Sequence, residues 1–177
     1  MRKTLFILAM VVSLSASVAS AQQRCDSHHE DRSGYEHGDR HHPSPYFVSK
    51  NKVFFDGRKI KGASASSFSI LRDGYAKDTW SVYYCGTKMD GTSSNSFKVL
   101  GFGYAKDTWN VYFDGKKING ASPESFKVLR DGYAKDTWNV YFDAVKIEGA
   151  SPDSFKVLRD GYAKDTWNTY YFGRKID

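Results

Sequence analysis

Beyond residue 42 the chain has no histidine; all five lie at His28, His29, His37, His41 and His42. Only two cysteines occur, Cys25 and Cys85, so the single thiol downstream of the tail has no imidazole beside it in sequence. An enzyme needs unlike groups converging on one site, with a nucleophile or proton carrier among them. Losing histidine from the whole repetitive region removes the commonest of these, and a non-enzymatic protein is expected. Long apolar runs are also missing. The longest, Leu5 to Val12, is too short for a bilayer of roughly 30 Å, so no stable membrane anchor is expected. Nor are like charges blocked together. The formal charge is +6, and removal of Arg2 and Lys3 with a leader lowers it by two. The excess is scattered as single Lys and Arg residues, the pattern of a solvated surface and not of a nucleic-acid partner.

What is present begins with that leader. Arg2 and Lys3, the short apolar run and the ending Ala19-Ser20-Ala21 have the form of a secretory signal peptide over residues 1–21, with cleavage after Ala21. Export places the mature chain in the periplasm or outside the cell. Arg24 directly before Cys25 argues against a lipidation site, which needs a small residue there. In an oxidising compartment Cys25 and Cys85 are able to pair and tie tail to body; two independent thiols, or pairing between molecules, are the alternative. Residues 22–45 interleave the five histidines with Asp26, Glu30, Asp31, Glu36 and Asp39 and contain almost nothing apolar, so disorder is expected. Imidazoles among carboxylates suit Zn, Cu or Ni. Their spacing is not that of a closed zinc site, and a polar spacer is the competing reading.

From Tyr46 onward one pattern governs the chain. Gly132 to Phe142, Gly-Tyr-Ala-Lys-Asp-Thr-Trp-Asn-Val-Tyr-Phe, recurs from Gly74, Gly103 and Gly161, each copy displaced by 29 residues, with a worn copy at Tyr46 to Phe55. Copies therefore start near residues 46, 75, 104, 133 and 162, and 46–177 forms one repeat domain. In Trp109 to Asp114 the period is two: Trp109, Val111 and Phe113 on one face, Asn110, Tyr112 and Asp114 on the other. That reads as a strand. Asp114-Gly115 suits a type I′ turn into Lys116-Lys117-Ile118. Upstream, Tyr104-Ala105-Lys106 is a further strand, and Asp107-Thr108 turns the chain by an aspartate bonding to backbone. Each unit thus holds a meander of three short strands. Between meanders, Ser122-Pro123-Glu124 has the form of a helix start, and one helical turn or an irregular turn both fit. Phe126, Val128 and Leu129 add a fourth apolar segment.

Twelve Phe, twelve Tyr and four Trp supply most of the core-building capacity, yet one unit is too small to bury its own aromatics. Neighbours must cover them. The fold expected is all-β: tandem 29-residue meanders in an elongated solenoid-like or a propeller-like array, the short period favouring the elongated form. Tyr83, Tyr112, Tyr141 and Tyr170 are expected to stack as a ladder. One copy breaks the turn rule, with Asp143-Ala144 in place of Asp-Gly, so Ala144 must take a positive φ.

Ser49-Lys50-Asn51-Lys52-Val53-Phe54-Phe55 resembles the motif that names the DKNYY family. Tyr46, Asp56-Gly57-Arg58-Lys59-Ile60 and Gly62-Ala63-Ser64 resemble the rest of that repeat. Later copies keep the tyrosine, the Val-aromatic-aromatic and the Gly-Lys-Lys-Ile-x-Gly-Ala positions but carry Thr-Trp, as in Thr108-Trp109, where the motif has Lys-Asn. The resemblance covers residues 46–177 and implies a bacterial, often exported repeat protein of undefined activity, with no catalytic residues to carry over. Tyr112 to Lys116 is also locally similar to choline- and glucan-binding wall repeats, whose aromatics hold a cation or a sugar between hairpins. Asp-Thr-Trp resembles the Asp-box of sialidase propellers but lacks its framing residues.

Two readings of Trp80, Trp109, Trp138 and Trp167 follow. Strand alternation groups each indole with the valine and phenylalanine of its own strand, which puts it in the core. Its position beside a turn allows instead a row of exposed indoles that stacks on a cell-envelope glycan or an unidentified partner protein. The role expected is binding or scaffolding outside the cytoplasm, with glycan recognition by the Trp row as the alternative and metal capture by the tail as a third. Asp78, Asp107, Asp136 and Asp165 are read as turn formers.

Overall fold

The computed structural model describes residues 44–176. The leader, the five histidines and Cys25 lie outside them. Within them the chain is almost wholly β, with one 3-10 turn at Ala65–Ser67. The first sheet has three antiparallel strands: β1 (Tyr46–Ser49), β2 (Lys52–Phe55) and β3 (Arg58–Lys59). Four further sheets have four strands each. They comprise β4 (Ser69–Ile70), β5 (Tyr75–Lys77), β6 (Val82–Tyr84) and β7 (Thr87–Met89), then β8 (Lys98–Gly101), β9 (Tyr104–Lys106), β10 (Val111–Phe113) and β11 (Lys116–Lys117). The same order follows in β12 (Lys127–Val128), β13 (Tyr133–Lys135), β14 (Val140–Phe142) and β15 (Val145–Lys146). The last sheet is β16 (Lys156–Val157), β17 (Tyr162–Lys164), β18 (Thr169–Tyr171) and β19 (Arg174–Lys175).

All strands in a sheet pair with their sequence neighbours, and no ladder joins one sheet to the next. Four strands fit into 29 residues because each has only two to four. The apolar segment after each connector is therefore the first strand of the following sheet: Lys127 pairs with Lys135 and Val128 with Ala134. The connectors make no α-helix. The first holds its 3-10 turn by Ser67 N–H to Ser64 O at 3.3 Å without a side-chain cap, and the others are plain hydrogen-bonded turns.

The sheets stack face to face, and each gap is filled alike. Between the third and fourth sheets lie Tyr104, Val111 and Ile118 from one side, Ala134 and Tyr141 from the other, and Phe126 of the connector in the middle. The next gap repeats this with Tyr133, Val140, Ile147, Ala163, Tyr170 and Phe155. Interior sheets are thus buried on both faces: Tyr112 packs into the gap before its sheet and Val111 into the gap after it. Ala76, Ala105, Ala134 and Ala163 are wholly buried in these gaps, where a larger side chain would overpack the space between the sheets. The result is a solenoid-like array, and no sheet among the described residues closes on itself. The tyrosines do not stack on one another, because a sheet separates each from the next. The ring contacts run instead through each gap, Tyr104 to Phe126 at 5.5 Å and Phe126 to Tyr141 at 5.6 Å.

Backbone contacts between repeats pass through a second set of tyrosines. Tyr75 Oη donates to Gly103 O at 3.0 Å and accepts from Gly115 N–H at 3.0 Å. Tyr46, Tyr104 and Tyr133 make the same pair of bonds one repeat on, to Gly74 and Gly86, to Gly132 and Ala144, and to Gly161 and Gly173. Each hydroxyl ties a sheet to two loops of its successor. The hairpin turns have the geometry that Asp-Gly demands, with φ of 47° at Asp114 and 74° at Gly115. Ala144 is in the same conformation at 66°.

Candidate functional site

The Asp-Thr-Trp turns are built around a buried carboxylate. Asp107 Oδ1 accepts the backbone N–H of Trp109 at 2.8 Å and of Asn110 at 2.7 Å, closing the turn between β9 and β10. Its Oδ2 accepts Ser93 N–H at 2.9 Å from the preceding connector and Tyr112 Oη–H at 3.0 Å from the adjoining strand. Asp78, Asp136 and Asp165 repeat all four bonds. The aspartates are turn formers, and they also splice each turn to the connector behind it. Thr108 N–H adds a bond to Ser96 Oγ at 3.1 Å.

Burial alone would raise these carboxyls. For Asp78 and Asp107 the opposing hydrogen bonds prevail and hold the acid below its ordinary range; Asp165 falls to about 2. Burial, with the neighbouring carboxylate, pushes the Tyr83 phenol up to about 12, and burial first of all raises Tyr112 and Tyr141 as well. Every carboxylate oxygen in these turns is engaged by a structural donor.

The indoles are not in the core. Trp80, Trp109, Trp138 and Trp167 are 82%, 76%, 76% and 79% exposed. Alternation misplaces them because the strand does not reach them: β10 begins at Val111, and Trp109 is the third residue of the turn. Its N–H points inward to Asp107, which sends the side chain outward. One indole therefore stands at the same corner of four successive sheets. Beside each are uncharged polar side chains, the exposed threonine before it and a half-buried asparagine after it in the last three copies. Stacked sheets lie about 10 Å apart, so the row advances by about that step.

Other residues singled out in the sequence fall elsewhere. Cys85 sits in the β6–β7 turn at φ 47° and is disulfide-bonded, while Cys25 lies outside the described residues. So do His28, His29, His37, His41 and His42. Among the described residues no group of three or more His, Cys, Asp or Glu side chains is placed to hold a metal ion. No described helix is long and apolar enough to cross a membrane. A second row escapes notice when charges are counted instead of placed. Lys59, Lys88, Lys117, Lys146 and Lys175 recur at the same 29-residue step, and all five are exposed on the outermost strands β3, β7, β11, β15 and β19. Open grooves separate these edges; the one between β7 and β11, of about 340 Å³, is bordered by Lys88, Asp90, Lys116 and Lys117.

A family model described as the DKNYY family matches residues 46–171, which spans the array from its first strand to the end of β18. No curated protein and no solved structure matches the chain.

Proposed function

The chain belongs to the DKNYY family, and from that premise we propose that it is an exported, non-enzymatic binding module whose contact surface is the tryptophan row. The observation that carries this reading is the exposure of four indoles at equivalent corners of four stacked sheets. An indole is among the largest apolar surfaces a residue offers, and repeated exposure in register marks a surface that a ligand covers. The row is rigid, since each turn is held by four bonds to one buried carboxylate. Flat indoles flanked by hydroxyl and amide groups suit sugar rings, which present C–H faces to aromatics and hydroxyls to polar side chains. A cell-envelope glycan is the ligand this surface fits best. The step of about 10 Å makes the ligand a chain and not a monosaccharide.

Pull-down on insoluble peptidoglycan, chitin and cellulose tests the reading. The intact protein is expected to sediment with at least one of them, and the Trp109→Ala, Trp138→Ala double variant to remain in solution at an unchanged melting temperature. Retention by the double variant refutes it. Metal capture by the histidine segment remains a separate reading. Calorimetric zinc titration of the mature chain against a form lacking residues 22–45 decides it, and equal binding by the two makes the segment a spacer.

A further inference from the structure

The outermost strands carry a feature that the tryptophan row does not explain. In β3, β7, β11, β15 and β19 the residue before the buried Ile60, Met89, Ile118 or Ile147, or before the exposed Ile176, is lysine in every copy. The residue before that is Arg58, Lys116 or Arg174 in three copies, and no carboxylate occurs within any of the five strands. The nearest acids in sequence are Asp90, Glu148 and Asp177, just past three of the strands, and the turn aspartates Asp56, Asp114 and Asp143. Glu148 pairs with Lys146 at 3.4 Å across exposed side chains. Lys88, Lys117 and Lys175 are in no ion pair among the described residues. By contrast, three central-strand lysines are occupied, Lys77 Nζ donating to Ser94 O at 3.0 Å, Lys106 Nζ to Pro123 O at 2.7 Å and Lys135 Nζ to Pro152 O at 2.6 Å.

We propose that this lysine row is a second binding edge, and that its ligand is an acidic polysaccharide carrying about one carboxylate or sulfate per disaccharide. The spacing selects the class. Sheets about 10 Å apart put one lysine at each step, close to the length of a disaccharide in an extended β-linked chain. Duplex DNA carries one charge per roughly 1.7 Å of axis, several phosphates for every lysine here, and the row would leave most of them uncompensated. Adjacent lysines are also about a screening length apart at physiological salt, so each acts almost alone on the anion opposite it. One exposed contact is worth only a few-fold in affinity, and five in line give on the order of a hundredfold by multivalency. Lysine on an edge strand also blocks strand-to-strand association. Lys98, Lys127 and Lys156 keep the same register on the opposite edge, so register alone does not mark a site; the β3 to β19 edge differs in carrying a lysine in all five sheets, with a second basic residue before it in three.

The probe is hyaluronan, with a neutral dextran and duplex DNA as comparisons, titrated against the intact protein at low and at physiological salt. Hyaluronan is expected to bind, to weaken on the order of tenfold as salt rises, and to leave dextran behind. Lys→Gln at all five positions removes about a hundredfold of that affinity. Lys→Gln at Lys98, Lys127 and Lys156, exposed on the opposite edge, changes it by no more than a few-fold. Should the five-fold variant melt early, the pair Lys88→Glu, Lys117→Glu serves in its place, with an expected loss of more than tenfold. Full binding by the five-fold variant, an equal loss in the opposite-edge variant, or tighter binding of DNA than of hyaluronan at equal charge concentration each overturns the proposal. The Trp109→Ala, Trp138→Ala variant keeps its hyaluronan affinity, so this edge stands or falls separately from the tryptophan row.

Discussion

Replacing Ala144 with glycine probes the hairpin chemistry and the stacking of repeats together. Ala144 has φ 66°, a region that costs a residue with a Cβ about 1 kcal/mol relative to glycine. Sterics act in the same direction. At the equivalent Gly86, Gly115 and Gly173, an added Cβ would come within 2.7, 2.6 and 2.5 Å of an aromatic side chain of the preceding sheet. The fourth copy has that carbon in place, packed in the same cluster as Phe113 of the preceding sheet. Two effects oppose the exchange. A half-buried methyl contributes about 0.4 kcal/mol, half the value of a buried methylene. Glycine also gains freedom in the unfolded chain, and the net balance measured at positive φ already includes this and still favours glycine. Tyr104 Oη continues to accept the backbone N–H, now 2.9 Å away, because the substitution leaves it in place. The sum is a stabilisation of about 1 kcal/mol, or a rise of about 3–5 °C in melting temperature for a domain of this size. Scanning calorimetry of the two proteins reads it. An unchanged or lower transition would mean that the methyl's packing outweighs the strain, and would refute the argument.

Two other outcomes follow from the same geometry. Tyr133→Phe removes a hydroxyl that bridges Gly161 O and the Gly173 N–H, and is expected to cost about 1–3 kcal/mol in urea unfolding; Tyr162→Phe, at a phenol already 42% exposed, is expected to cost almost nothing. Equal losses would remove the role assigned to the bridging hydroxyls. Stability is expected to be level between about pH 5 and pH 10 and to fall on both sides. On the acid side, Asp78, Asp107 and Asp165 titrate lower folded than unfolded, so their contribution is complete above the unfolded value near 4 and is lost as pH drops towards about 2. On the alkaline side the phenols titrate higher folded than unfolded. Their contribution is complete below about 10 and is lost as pH climbs towards the Tyr83 value of about 12. Melting temperatures across that range check both limbs, and rising stability below pH 4 would contradict the carboxylate assignment.

Much of the local structure is legible in one dimension. The 29-residue step is a periodicity of the sequence itself, while the strand at Val111 to Phe113, the Asp114-Gly115 turn and the strained Ala144 follow from residues close together in the chain, and the structure has each of them. The Asp107 turn is legible for the same reason, since two of its four bonds reach only two and three residues along the chain. Its other two bonds, and the tyrosine hydroxyls that reach 28 and 40 residues on, leave no local trace. Alternation went wrong at Trp109 for a related reason. Counting by twos supposes a strand that already runs at Trp109, and the carboxylate-held turn delays its start by two residues, to Val111.

Sequence by itself determined the repeat, its β character, the turn types and the need for neighbours to cover the aromatics, because these follow from periodicity and from the conformational limits of single residues. Only the tertiary structure decided which neighbour covers what. Stacking the sheets face to face buries Val111 and Tyr112 on opposite sides of one strand, which no single-faced pattern anticipates. The same stacking lines up the corners and edges that remain outside. It turns four isolated tryptophans into a row and five scattered lysines into another. A surface made by stacking belongs to the array and not to any one copy, so its function is legible only after the copies are placed side by side.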